Sequence, residues 1–500
     1  MNIKKNIAVT ILTTSFLISG ISNPIGYNVS AFRPIEVNAS SIKTSDNNKY
    51  LLNIQNSYST KTSKDKYEIV KSSGASKDKK NTKDAKDTKD VKDTKALTAI
   101  KENTEKKNDS KENKNSKDSK ETNETKDTTD NKINKDISYS DKGDEFENGK
   151  KIEIGDIKVV NLKGTWREMG RQYGYLMKKE LEDLDTFLDL IIEANEGNAS
   201  TARAIVDQQI AQTPYRINQF FEGASETSGF TVDELQIINA VERIGGLPKC
   251  SVAMAWDKYA KSDLVIGRNY DWSESFALLK DDIAVTVYHP ADGALATATV
   301  GYVGEIYAVN GLNEKGIFLE LNNGKPSANI KSPDPRITGT TMLFECLFES
   351  DELSDMDLFF NTTNCSSSYI INVADENKGQ SFEWCPVGVK HGESTLPNGL
   401  LVSTNYYVNK DWLFNTPSDK NSWSGITRRN NLIELCENNK GKIDAEKMME
   451  IINKTVEEGG AKNDLTVYQL VVVPKTKILW LQITGGSEWT KIDVDSFFKS

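Results

Sequence analysis

The chain has 500 residues, a formal net charge of -10 at pH 7 and a hydrophobic fraction of 37%. That acidic balance argues against a general nucleic-acid binder, which carries a basic field. So low an apolar content in so long a chain means that one segment dilutes the rest.

The diluting segment lies at the front. Residues 1–31 begin with Lys4 and Lys5, and an apolar run follows from Ile7 to Ile21. A charged start and an apolar core too short for a comfortable membrane span predict an export signal. No cysteine follows the run, so a lipid anchor is not expected, and cleavage after Gly20, Ser22 or Ala31 stays open. Residues 32–149 read as a disordered Lys/Asp/Asn/Thr-rich spacer, with no Phe or Trp between Phe32 and Phe146. Such a tract buries too little apolar surface to offset chain entropy. Its charges nearly balance, so it is no polybasic arm; a solvated spacer is expected, with cell-wall association as the alternative. The expected location is secreted or in the cell envelope, on the extracellular side.

From residue 150 the texture changes. "KIEIGDIKVVNLKG" alternates as strands do. The stretch beginning "TWREMGRQYG" places Met169, Tyr173, Leu176, Met177, Leu181 and Leu184 at helical spacing. More helix follows, interrupted near Pro214, and Thr231 with Glu234 stand at capping-box spacing. Residues 150–249 are therefore expected to be mainly helical; they would be a propeptide or small subunit if the chain is cut before Cys250. Beyond Cys250 the pattern turns to short β-branched runs such as "CSVAMAW", "SDLVIGRNY" and "EIYAVNGLNEKGIFLELNN". Helices return at "GITRRNNLIELCENN" and "DAEKMMEIINKT", before a last hairpin. Strands and helices segregate rather than alternate, which predicts a layered α+β fold rather than a doubly wound parallel sheet.

The five cysteines (250, 346, 365, 385 and 436) form no CxxC pair, and neither His289 nor His391 is close to one in sequence. No metal site is expected, and neither histidine's context marks it as the base of a thiol nucleophile. If Cys250 is a nucleophile, its own α-amine is the candidate base, with a reference pKa of about 7.7–8.0. That amine exists only if the Lys249–Cys250 bond is cut, which makes this bond the expected self-cleavage site.

Five motifs stand in order along the chain: "GTWREMGRQYG" (164–174), "CSVAMAW" with "VIGRNYDW" (250–272), "NGLNEKGI" (310–317), "STNYY" (403–407) and "SGITRRNNL" (424–432). With them, residues 155–485 resemble the N-terminal-nucleophile hydrolases, nearest the isopenicillin N acyltransferase-like autoproteolytic acyltransferases, the choloylglycine hydrolases and the penicillin V acylases. The resemblance implies a four-layered αββα sandwich with residues 250–500 as the catalytic subunit. It implies that Cys250 attacks its own preceding carbonyl and then a substrate acyl carbon, with Arg268 beside the thiolate and Asp271 orienting the new α-ammonium. Asn313 and Asn405 would hydrogen-bond substrate or oxyanion, and Arg428, with Arg429 as the alternative, would organise charge. No cofactor is implied. The partners implied are a small-molecule amide and the two cleaved pieces for each other; homo-oligomer formation is left open. Acyl amino acids or peptides, bile-salt conjugates, penicillins and acyl-homoserine lactones all fit such a site. A catalytically inactive cell-envelope binding protein on the same fold is the alternative, and a cysteine peptidase a weaker one.

Overall fold

The computed structural model describes residues 143–500, apart from 195–205, 208–209, 212, 241–248, 273, 331–338, 364, 393–396, 398 and 487. The expected export signal and almost all of the expected spacer lie outside the described residues. Ordered structure begins before the expected boundary at 150. Asp144–Phe146 and Gly149–Ile154 pair as a hairpin, and of the two it is the short, acidic first strand that the sequence did not announce; Lys150 bridges Glu145 at 3.1 Å.

Among the described residues two sheets account for the strands. The larger runs in spatial order β1 (Asp144–Phe146), β2 (Gly149–Ile154), β3 (Ile157–Gly164), β6 (Ile283–Pro290), β7 (Thr297–Tyr302), β8 (Asn310–Asn313), β9 (Phe318–Asn323), β10 (Tyr369–Ala374), β11 (Gly379–Cys385) and β12 (Gly388–Gly392). The smaller runs β13 (Leu400–Ser403), β4 (Ser251–Ala255), β5 (Val265–Asp271), β14 (Thr466–Val473), β15 (Ile478–Ile483) and β16 (Thr490–Asp493). Neighbours pair antiparallel, except that β3 runs parallel to β6, in register from Lys158 opposite Ala284 to Gly164 opposite Pro290. Besides its four helices, the segment before Cys250 also supplies β1, β2 and β3 to the larger sheet.

Alternation explains the layers. Side chains of successive strand residues point to opposite faces. In the smaller sheet Val252, Met254, Ile266 and Tyr270 enter the core that Val285, Val287, Ala298 and Val300 of the larger sheet also form. Tyr270 meets Tyr302 across the gap, with ring centroids 6.4 Å apart. Their alternates Ala253, Ala255, Val265 and Val471 pack instead against Leu432, Cys436, Met448 and Ile452. Of the helices, α1 (Trp166–Leu176), α2 (Lys178–Ala194), α3 (Tyr215–Ser228) and α4 (Val232–Ile238) precede Cys250. The others are α5 (Gly339–Glu349), α6 (Leu353–Thr362), α7 (Gly425–Asn438), α8 (Ala445–Asn453) and α9 (Val494–Phe498). Helices α7 and α8 cover the smaller sheet through those residues. On the outer face of the larger sheet, Tyr288 meets Trp166 of α1, Phe220 of α3, and Phe344 and Phe348 of α5. The result is α+β, with helix, sheet, sheet and helix in turn.

Helix α1 contains the "GRQYG" of the first motif, and its glycines have a packing reason. A Cβ on Gly170 would lie 2.0 Å from the carbonyl oxygen of Phe220, and one on Gly223 would lie 1.9 Å from that of Arg167. The two helix backbones touch where they cross. Gly223→Val is expected to force them apart and destabilise the fold by about 3 kcal/mol, read as a drop in Tm. A change in Tm no larger than that of a surface substitution would contradict this crossing.

Candidate active site

Cys250 stands just ahead of β4, and its thiol is fully buried. The Ser251–Asn269 pairing of β4 with β5 sets Lys249 opposite Asp271, where the Lys249 N–H donates to the Asp271 carbonyl at 2.8 Å. The Arg-x-x-Asp spacing on β5 then does something that the sequence states only implicitly. Three residues along a strand is an odd step, so Arg268 and Asp271 point to opposite faces.

Arg268 points between the sheets. Its Nη2 donates to the Cys250 Sγ at 3.1 Å and to the Leu321 carbonyl, and its Nη1 to the Val309 carbonyl and the Asn310 side chain. Its Nε lies 3.2 Å from the Glu320 carboxylate, and both side chains are wholly buried. Asn310 is held in turn by the Tyr468 hydroxyl at 2.6 Å. Burial pushes the Cys250 thiol up to about 11, against the opposing pull of the Arg268 charge and hydrogen bond. At pH 7 the sulfur is therefore a neutral thiol.

Asp271 points the other way, toward α7. Its carboxylate accepts from the Thr466 hydroxyl at 2.7 Å, the Asn463 amide at 2.9 Å and Arg428 Nη1 at 3.2 Å. Burial raises its pKa, with Arg428 acting in the opposite direction. Arg428, from the first turn of α7, also donates through Nη1 to the carbonyl oxygens of Lys249 (3.2 Å) and Cys250 (3.1 Å), and through Nη2 to Asn405 Oδ1 at 2.9 Å. Asn405 donates to the Asn323 carbonyl at 3.2 Å. Of the two candidate arginines it is Arg428 that meets these groups. Arg429 donates to the Val402 carbonyl at 3.1 Å instead.

Cys250, Lys249, Arg268, Asp271, Asn405 and Arg428 are thus drawn together, and Asn313 is not. Its amide donates to the Leu347 and Ser350 carbonyls at the end of α5, and its Oδ1 accepts from the Lys315 and Ile317 N–H groups. It ties the β8–β9 turn to the helix layer outside the sheet. Parity is again the cause, since Asn310, three residues earlier, is the one that faces Arg268. On β9 the same alternation puts Glu320 and Asn322 on one face. Asn322 donates to the Ser403 hydroxyl at 3.5 Å and leaves its buried Oδ1 without a hydrogen-bond partner among the described residues. Reading the sequence for motifs missed Asn310, Glu320, Asn322, Asn463 and Thr466. Strand alternation through "NGLN" and "FLELNN" is the signal that singles out the first three. Neither histidine meets Cys250: His289 bonds Asn161 at 2.8 Å, and His391 lies 3.6 Å from Asp357. All five cysteines are free and buried.

The loop after Asn405 is pinned by Glu383 of β11, whose buried carboxylate accepts from the N–H groups of Val408 and Asn409 and from the Trp412 indole at 2.7 Å. Burial pushes this carboxyl from its ordinary 4.5 up to about 7. A folded-state pKa above the unfolded one gives stability that is whole below pH 4.5 and is lost as pH rises through 7. The expected result is a Tm that falls between pH 5 and pH 8, by the equivalent of about 3 kcal/mol at most, with Glu383→Gln flattening the fall. A pH profile unchanged in that variant would refute the assignment.

No family model and no curated protein matches the sequence. Solved structures do. One is a Caenorhabditis elegans ortholog of N-acylethanolamine-hydrolyzing acid amidase, at 19% identity over 45% of this chain and 93% of that one, with a TM-score of 0.35. Another is a conjugated bile acid hydrolase from Clostridium perfringens, at 14% identity over 49% and 93%, with a TM-score of 0.36. A third is a penicillin V acylase from Agrobacterium tumefaciens, at 9% identity over 49% and 86%, with a TM-score of 0.33. Over that half of its length, the chain is similar to these structures.

Proposed function

We propose that the chain is a self-processing cysteine amidohydrolase that acts on linear amides through a thioester on Cys250. The observation that carries this reading is the setting of the Lys249–Cys250 bond. The Cys250 sulfur is 3.1 Å from a buried guanidinium, and the carbonyl oxygen of the preceding residue accepts from a second one at 3.2 Å.

In processing, the thiol proton passes through solvent toward the nitrogen of the scissile bond, and the sulfur attacks the Lys249 carbonyl carbon. Negative charge builds on the carbonyl oxygen, where Arg428 already donates. The C–N bond breaks, its nitrogen takes a proton, and the Lys249 acyl group rests on sulfur. Water then releases it as a carboxylate, leaving a thiol and a free α-amine on Cys250. In turnover that amine takes the thiol proton, the sulfur attacks an external acyl carbon, and the leaving amine departs protonated. Water clears the second thioester. Arg268 steadies the negative sulfur each time it forms. Transfer to an amine acceptor in place of water is the variant reaction. The N-terminal sequence supports export, and the charge-balanced composition of residues 32–149 supports a spacer open to cell-wall association. Both cleaved pieces are expected to remain one particle.

Intact mass and N-terminal sequencing of the purified protein, beside Cys250→Ala, test this reading. A fragment beginning Cys-Ser-Val-Ala-Met in the wild type only is the expected result. Two intact, folded chains would refute it and favour a non-catalytic envelope binding protein.

A further inference from the structure

Two neighbouring residues just ahead of α7 have backbones that L-amino acids rarely adopt. Trp423 has φ 54° and ψ 51°, and Ser424 has φ 57° and ψ 27°; neither is glycine. Such conformations cost on the order of 1–3 kcal/mol each and persist where surroundings over-determine them. Here Asp419 holds the turn. Its carbonyl accepts the Ser424 N–H at 2.8 Å, and its carboxylate accepts the N–H groups of Ile426 and Thr427 and the Thr427 hydroxyl. Arg428 Nε closes it by donating to the Trp423 carbonyl at 3.2 Å. The outcome is a half-buried indole beside the bond proposed to be cut. The Lys249 ammonium lies over it, 5.6 Å from the ring centroid.

Lys249 is the acyl half of that bond. An external amide must bring its carbonyl to the same sulfur and the same Arg428 donor, so its acyl chain runs where the Lys249 side chain runs now. We infer that Trp423 is the floor of the acyl subsite and selects acyl groups whose short methylene chain ends in a cation. A cation over an indole face is attracted to the ring's negative quadrupole, and Trp is the best of the aromatic partners. Burial lowers the Lys249 pKa, with Asp271 drawing the charge and Arg428 repelling it, so the preference rests on the indole face and not on the charges around it. This rests on the proposed function and narrows it from linear amides to those with a lysyl-like acyl half.

The test has two arms. In the first, processing is timed for Lys249→Met, Trp423→Leu and the pair together. Each single change is expected to slow processing about fivefold, and the pair no more than either alone, as coupled partners do. In the second arm, the processed enzyme meets 6-aminohexanoyl-4-nitroanilide and hexanoyl-4-nitroanilide, which differ only in the terminal ammonium. The cationic anilide is expected to have a KM about fivefold lower with a similar kcat. Trp423→Phe should keep part of that preference and Trp423→Leu lose it. Additive single effects, equal use of the two anilides, or a preference for the uncharged one would overturn this inference while leaving the self-processing reading intact. A wild-type chain that neither cuts itself nor cleaves either anilide would remove both.

Discussion

Arg268→Met is expected to lose 3–5 kcal/mol of stability, and its processing is expected to slow by at least a hundredfold. The stability estimate is about the usual penalty for breaking a buried ion pair, and the rate estimate is about that for losing a key electrostatic donor. Both follow from one guanidinium that serves a structural and a chemical end at once. It is wholly buried, donates to backbone carbonyls of β9 and of the segment entering β8, to Asn310 and to the Cys250 sulfur, and forms an ion pair with Glu320. Removing it leaves the Glu320 carboxylate buried between two sheets without its cation, with the Asn372 amide still donating to it. Against a total folding stability of about 5–15 kcal/mol, that is a large fraction. The two ends separate in Arg268→Met/Glu320→Met, where the orphaned carboxylate goes too and apolar packing replaces the pair. Stability should largely return, measured by denaturant unfolding, and processing should not. A double variant that processes normally would show that Arg268 is a structural ion-pair partner only.

Arg428 carries the second large effect. Its Nη1 reaches the Lys249 carbonyl, the Cys250 carbonyl and Asp271, while Nη2 holds Asn405. The Lys249 oxygen is where charge develops during attack, so Arg428→Met is expected to slow processing on the order of 10²–10³-fold. Arg428→Lys should recover only part of this, because an ammonium cannot reproduce the fork that spans the carbonyls on one nitrogen and Asn405 on the other. The measurement is the half-time of fragment appearance in the purified chain. If Arg428→Lys and Arg428→Met process at the wild-type rate, the carbonyl contact is incidental and another group must stabilise the oxyanion.

Most of this centre was legible in the sequence, and the gaps have physical causes. Cys250, Arg268 and Asp271 were readable because a strand start and an Arg-x-x-Asp leave local traces. That the arginine and the aspartate work on opposite faces needed only the two-residue period of the strand. The choice of Asn313 went astray on the same period: a good turn motif attracted the reading, while its partner three residues earlier carried the contact. Glu320 was invisible because one acidic residue in "FLELNN" gives no hint of a buried cation until β9 is laid against β5. Asn463 and Thr466 reach Asp271 from 192 and 195 residues away, and nothing local announces such a contact. The segregation of strands and helices did point to α+β. It did not show that residues before Cys250 share a sheet with residues after it, because a parallel neighbour is decided by long-range packing.

That shared sheet sets the fate of a chain cut at Lys249. Strand β3 is flanked by β2 on one side and β6 on the other, so the upstream fragment forms one end of the larger sheet, joined to the rest through the β3–β6 ladder. Severing the covalent link therefore yields a complementation pair, held by a ladder of main-chain bonds and a common apolar interior. Dissociation would uncover β6 along its length as a bare sheet margin, the kind of surface that recruits foreign strands and precipitates. Residues 250–500 produced alone would begin life in that condition. On the proposed reading the upstream piece would stay in the folded body after scission, whose one product would be a new amino terminus at Cys250.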